Sequence, residues 1–333
     1  MSSYTGPYGS LTPLAVRNLQ NSLTQQTLPS LFRNVYYLDP ANGYDANVGT
    51  SPGQAFQTLA TAYNACVSGY NDCVALIGNG STTATARVDA SFTWAKNATH
   101  LIGLSSGVNI SNRSRIAPSS ATTAFTPYFT ISGSGCLFQN VEIFDGFTTG
   151  TTAQIALTIT GGRNLFQNCH LAGMGDATSA GDAGSRVVKI VGTGENQFLN
   201  CTFGVDTIAR TAANATVEFA SGTARNVFSN SRFISYLTGS GSGAYHGLAT
   251  GVAAMDRFQA FENCNFYQSY FSGAGVAMAQ LLHASSASAG GEFILQNPSC
   301  AGVTAYGDAT TLALTIVVGP AVNKLGGQGV VGT

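Results

Sequence analysis

Hydrophobic and polar positions alternate along residues 163–173, RNLFQNCHLAG, and then the alternation inverts. On a straight strand Phe166 and Asn168 share one face, while Cys169 and Leu171 share the other. A bend at Asn168 removes the conflict: Phe166, Cys169 and Leu171 then point into one interior and His170 points away from it. The same pattern recurs in CLFQNVEIF (136–144), NLFQNCHLA (164–172), NQFLNCTFG (196–204), NVFSNSRFI (226–234), QAFENCNFY (259–267) and, more loosely, FILQNPSCA (293–301). The anchors are Asn140, Asn168, Asn200, Asn230, Asn263 and Asn297, separated by 28, 32, 30, 33 and 34 residues. Two positions before each stands Phe138, Phe166, Phe198, Phe228, Phe261 or Leu295, and three after it Ile143, Leu171, Phe203, Phe233, Phe266 or Cys300. A repeat of this length is the mark of a solenoid, in which each unit buries its apolar face only by stacking on its neighbours.

Strand-like runs precede most anchors: YFTISG (128–133), IALTITG (155–161), RVVKIVG (186–192) and ATVEFASG (215–222). Three short strands per repeat predict an all-β chain wound as a right-handed parallel β-helix, with rungs about 4.8 Å apart. The bend demands a left-handed backbone, which Asn tolerates better than any residue except Gly. Stacked in register, the six Asn side chains should hydrogen-bond along the solenoid. Cys169 and Cys201 come one interstrand spacing apart. That distance permits a disulfide, but parallel Cβ directions make it awkward, so inward-facing thiols are expected.

Ahead of the repeats, residues 35–66 read VYYLDPANGYDANVGTSPGQAFQTLATAYNAC. VYYLDP is a strand, and ANGYDANVGTSPG is dense in turn residues. Ser51 with Pro52 predicts a helix start, with Phe56, Leu59, Tyr63 and Cys66 along one helical face. A solenoid end exposes strand edges and an open core, so a capping helix belongs there. The stretch YYLDPANGYDANVGTSPGQAFQTLATA resembles the leading segment of the pectate-lyase-like right-handed β-helix superfamily, and the Asn anchors resemble its asparagine ladder. The resemblance spans residues 35–320. It implies the fold more than an activity, because the superfamily holds polysaccharide lyases, glycoside hydrolases, phage tailspikes and non-catalytic virion proteins.

Residues 1–34 lie outside the resemblance. Thr12 and Pro13 read as a helix start; Val16, Leu19 and Leu23 share one face of a short helix, with Tyr4 and Tyr8 in an extended arm before it. Residues 321–333 are a Gly-rich C-terminal arm. Both are expected to bind neighbours in an assembly, with Tyr4, Tyr8, Val16, Leu19 and Leu23 at the interface.

Composition narrows the function. Only 9 % of the 333 residues are charged, 14 Lys and Arg against 15 Asp and Glu, far below the roughly 25 % of ordinary globular chains. The near-neutral balance without a basic block argues against nucleic-acid binding, and no run reaches the ~20 apolar residues of a membrane span. Weakly charged surfaces associate readily, so homo-oligomers, trimers among them, are expected. The N-terminus lacks a signal-peptide pattern, and seven Cys then read as reduced, buried thiols.

Catalytic chemistry is thin. A lyase resembling the pectate enzymes would need clustered acids for calcium and an Arg or Lys base; a hydrolase would need paired carboxylates. The outward column Glu142, His170, Thr202, Arg232 and Asn265 is a mixed, solvent-facing row. The four His have no metal-ligand spacing, and no cofactor motif occurs. The best acids are Asp176 and Asp182 in the insert 173–186, with Asp206 in the corresponding loop of the next rung, although turn chemistry explains them equally well. Tyr267 and Tyr270 suit either sugar stacking or a subunit interface. The leading expectation is a structural virion protein of a tailed phage, a capsid decoration or head-fibre protein joined to capsid or other virion proteins through its arms. The alternatives are a tailspike-like depolymerase and a non-catalytic binder of host surface glycan.

Overall fold

The computed structural model describes residues 31–105, 107–269 and 274–319. The interface residues Tyr4, Tyr8, Val16, Leu19 and Leu23, the arm 321–333 and Tyr270 lie outside the described residues. What is described is a right-handed parallel β-helix with three lateral sheets. The first has ten strands, from Val35–Leu38 to Thr315–Val318; the second has eight, from Ala86–Arg87 to Ser299–Ala301; the third has seven, from Phe92–Trp94 to Leu282–Ala284. Strands within each are parallel and stack in register, as in Leu137–Gln139, Leu165–Gln167 and Gln197–Leu199.

Each rung runs from third sheet to first sheet to second sheet, and the Asn anchors turn the corner between the last two. All six anchors are left-handed, with φ between 48° and 56°. The predicted inversion of parity is therefore a bend. Within the rung, Phe166 and Leu171 are both buried in one core, with Cys169 between them. Phe138, Phe166, Phe198, Phe228 and Phe261 stack face to face at centroid distances of 5.0, 4.7, 4.6 and 4.8 Å. A second pile, Phe203, Phe233 and Phe266, follows at 4.7 and 4.9 Å. Offset ring stacking adds to the area each ring removes from water.

The ladder forms in part of its length: Asn168 Nδ2 donates to Asn140 Oδ1 (2.7 Å), Asn200 Nδ2 to Asn168 Oδ1 (3.0 Å) and Asn297 Nδ2 to Asn263 Oδ1 (3.2 Å). A second, inner ladder sits four residues before the anchors. Asn164 N–H donates to Asn196 Oδ1 (3.0 Å), Asn196 N–H and Nδ2 donate to Asn226 Oδ1 (3.1 Å each), and Asn226 Nδ2 donates to Gln259 Oε1 (2.8 Å). All four side chains are buried. They satisfy backbone groups that the corner between third and first sheets would otherwise leave unpaired.

That corner carries its own left-handed column, Ala98, Gly135, Arg163, Glu195, Arg225 and Arg257, with φ from 44° to 69°. Three of its members form an ion-paired row: Glu195 accepts from Arg163 Nε and Arg225 Nη2, each at 2.7 Å.

The N-terminal cap differs from expectation in one respect. Ser51 and Pro52 open only a 3-10 turn, Pro52–Gln54, and Ser51 makes no side-chain cap. The α-helix is Leu59–Ala65, capped by Thr58, whose hydroxyl accepts from Thr61 N–H. Asp45 decides this start: its carboxylate receives the N–H of Gln57 and Thr58 and the Thr58 hydroxyl, holding the chain extended until Thr58. Leu59, Ala62, Tyr63 and Cys66 are buried against the first rung and Phe56 packs just ahead of them. Lys96 closes the other end of the helix, donating to the carbonyls of Tyr63 (2.8 Å), Asn64 (3.1 Å) and Cys66 (2.7 Å).

Candidate functional site

The second sheet carries a lateral row in which ionisable groups stand side by side. Arg115, Glu142, His170, Thr202, Arg232 and Asn265 occupy equivalent positions on successive strands. The expectation that this row faces solvent is corrected over half its length: Glu142, His170 and Thr202 are buried. The cause is a connection, residues 107–113, that folds back across the sheet. Asn168 Nδ2 donates to Gly107 O (2.8 Å), Asn109 Nδ2 to Asn200 O (2.9 Å), and Ser111 N–H to His170 Nδ1 (3.0 Å). Asn112 stiffens the loop from inside, accepting from the Ser105 hydroxyl and donating to Val108 O. Sequence periodicity missed this cover because a loop in one rung shields strands of later rungs.

Beneath the loop, His170 Nε2 lies 2.9 Å from Gly204 O and Nδ1 lies 3.4 Å from Glu142 Oε1. Glu142 Oε2 and Thr202 Oγ1 are buried without a hydrogen-bond partner.

The three candidate acids do not converge. Asp176 caps the short helix Ala177–Ala180, accepting from Thr178 N–H (2.8 Å), Ser179 N–H (3.1 Å) and the Ser179 hydroxyl (2.7 Å). Asp182 ties a turn, accepting from Ala153 N–H and Gly184 N–H at 2.8 Å each. Asp206 is exposed in the following loop. The predicted insert is therefore ordered by its own acids, as turn chemistry requires.

An acid that the sequence did not single out is more perturbed. Asp145 is fully buried, and its carboxyl is pushed up to about 7, first by burial and then, among charges, by Asp176. Its Oδ1 receives Gly175 N–H at 3.4 Å, while Oδ2 and the nearby Tyr128 hydroxyl have no partner. Outside this pair, the loops 120–124 and 148–151 line a cleft of about 430 Å³ with the hydroxyls of Ser120, Thr122, Thr123, Thr148, Thr149 and Thr151. Gly150 is its thin wall: a Cβ there would meet the Asp176 carboxylate. Nothing in sequence marks Asp145, since it lies one residue past a strand in a repeat position that is usually apolar or small.

On the same side, in a later connection between second and third sheets, Arg210 is a buried cation whose hydrogen-bond acceptors are all neutral. It donates to Asn214 Oδ1 (2.6 Å), Thr216 Oγ1 (3.1 Å) and Asn214 O (3.0 Å), and burial lowers it to about 9. Arg186 and Lys189 instead share Glu218, at 2.5 and 2.9 Å. Among the described residues no three His, Cys, Asp or Glu side chains are grouped to hold a metal ion.

Comparison with known proteins gives a likeness of shape. A pectin methylesterase in complex with a hexasaccharide superposes with a TM-score of 0.56, over 88 % of this chain and 91 % of its own, at 17 % identity. Pectin methylesterase from Erwinia chrysanthemi gives 0.53 over the same shares at 16 % identity. A rhamnogalacturonan lyase gives 0.52 at 14 % identity, over 80 % of this chain and 68 % of its own. The fold is a right-handed parallel β-helix, as in these proteins. At these identities the likeness extends to the fold and not to the chemistry. No family model and no curated protein matches the sequence. In this β-helix half of the lateral row that could have held a site is instead roofed by residues 107–113.

Proposed function

We propose that this β-helix is a structural component of a tailed-phage virion, a capsid decoration or head-fibre protein, joined to capsid or other virion proteins through residues 1–34 and 321–333. The observation that carries the reading is how the acids are used. Asp176 caps a helix, Asp182 ties a turn, Glu218 pairs with two cations, Glu195 bridges two more, and Glu142 is buried under a loop. Carboxylates committed in this way stabilise the solenoid and are not free to act on a bound glycan. The root of the N-terminal segment supports the attachment: Phe32 packs on His100 at 5.0 Å, Arg33 lies over the Tyr70 ring at 4.0 Å, and Asn34 Nδ2 donates to Asp72 Oδ1 at 2.8 Å. A segment leaving from such a clamp transmits load to a rigid body. The low charge favours self-association into a homo-oligomer such as a trimer.

Comparing the full chain with a form lacking residues 1–30 tests the reading. Both should fold, and only the full chain should join virion particles; equal incorporation of both would refute attachment through this arm.

A second reading, non-catalytic binding of a host surface glycan, draws on the hydroxyl-lined cleft between loops 120–124 and 148–151. Saturable sugar binding without shortened chains would favour it. Shortened chains whose production is lost in Asp145→Asn or Asp176→Asn would overturn both readings in favour of a depolymerase.

A further inference from the structure

We infer that residues 107–111 are a latch over the second sheet that acid releases, with His170 as its trigger. The inference rests on the two different partners that compete for one nitrogen. Gly204 O can only accept, so His170 Nε2 carries the proton that points to it. Ser111 N–H can only donate, so Nδ1 meets it with a lone pair. The latch therefore requires a neutral imidazole in one tautomer.

Glu142 Oε1 lies 3.4 Å from that same Nδ1 and cannot bond to it in this state, because both atoms present lone pairs. Its Oε2 has no partner, although the side chain is only 5 % exposed. A buried carboxylate in this position is costly. A proton taken up from solvent at Nδ1 reverses both conditions. The new N–H opposes the Ser111 N–H and expels it, and the imidazolium gives Glu142 a charge-assisted partner. One backbone hydrogen bond is exchanged for a buried ion pair, which is the difference in contacts that a two-state element needs.

The other charged groups around His170 set the balance. Arg115 stands one strand behind Glu142, Arg232 stands beyond Thr202, and Arg113 lies at the root of the loop. The bonds from Asn168 to Gly107 and from Asn109 to Asn200 do not titrate, so the Ser111 end opens first. Opening uncovers Glu142, His170 and Thr202 as a continuous row three rungs long and frees the exposed apolar tips Val108 and Ile110 to move away from the wall.

Hydrogen exchange on the full chain, corrected for intrinsic rates, tests the latch. Between about pH 8 and about pH 5, protection of residues 107–111 should fall by about tenfold or more, while that of Leu165–Gln167 should not change. In His170→Gln the response should vanish, and in Glu142→Gln it should shrink because no carboxylate awaits the proton. Equal protection at the two pH values in the unaltered chain would overturn the inference. So would a response that persists undiminished in Glu142→Gln, the nearly isosteric variant, if His170→Gln does not fold.

Discussion

The Cys201 thiol donates to the carbonyl oxygen of Phe166, 3.5 Å away and one rung back. Cys169 does the same to Phe138 O at 3.3 Å and Cys264 to Phe228 O at 3.2 Å, while at Ser231 a hydroxyl takes over, donating to Phe198 O at 3.2 Å. After four of the six anchors, Asn168, Asn200, Asn230 and Asn263, the next residue thus adds a side-chain donor to a strand carbonyl one rung back. The cysteines are free thiols, as their inward direction required.

From this follows an unusual tolerance. Cys201→Ser should change stability by less than about 1 kcal/mol, because the acceptor for a buried hydroxyl is already in place. Cys201→Val should cost more, losing the bond to that carbonyl and overfilling the corner, by about 2 kcal/mol. Urea unfolding of the two variants measures the difference.

The thiols should also be chemically silent. Burial pushes Cys66 and Cys264 up to about 12 and Cys201 well above its ordinary value. Thiolate is the reactive form, so a thiol reagent at about pH 8 should label these three only after denaturation. Rapid labelling of the folded chain at these positions would contradict the buried corner.

The inner ladder should matter more than the outer one. Asn196→Ala strips the acceptor from Asn164 N–H and a donor from Asn226 inside the core, and should cost about 3 kcal/mol. Asn263→Ala, at an exposed corner, loses one side-chain bond and the left-handed tolerance, and should cost about 1–2 kcal/mol. Chemical denaturation orders the two.

Asp145 should make stability fall as pH rises. Its folded carboxyl titrates at about 7 because burial, with Asp176 beside it, favours the neutral form, whereas the unfolded carboxyl titrates near the ordinary aspartate value of about 3.9. The folded state therefore holds more protons between these values. The contribution is fully present below about pH 4 and is lost as pH rises through about 7; the difference amounts to at most about 4 kcal/mol. Asp145→Asn should flatten the profile and raise stability at about pH 8. Melting temperatures across pH, for the chain and the variant, check the sign.

Lys96→Met should loosen the N-terminal cap. It removes a cation that bonds three helix-end carbonyls and lies 4.5 Å over the Tyr63 ring, for a loss of about 2–3 kcal/mol. Exchange should quicken in Leu59–Ala65 before the later rungs respond.

The sequence by itself determined the parts of this protein that repeat. An interval of about 30 residues, a Phe two before each Asn and an apolar residue three after it can be satisfied together only by a stacked bend. That pattern specified the solenoid, the left-handed corners and the inward cysteines. The inner ladder was written there too, as Asn164, Asn196, Asn226 and Gln259 four before the four middle anchors, but a polar residue at a strand corner has no visible partner until the rungs stack.

What only the tertiary structure decided lies where the chain departs from its own period. Residues 107–113 cross three rungs and bury His170, Asp45 delays the cap helix to Thr58, and Asp145 is fully buried. Periodicity assigns a side chain to a face of its own rung. Burial depends also on what other rungs lay across that face, and the loop contacts join residues 59 to 91 positions apart, 91 for Asn109 and Asn200, which no local pattern encodes.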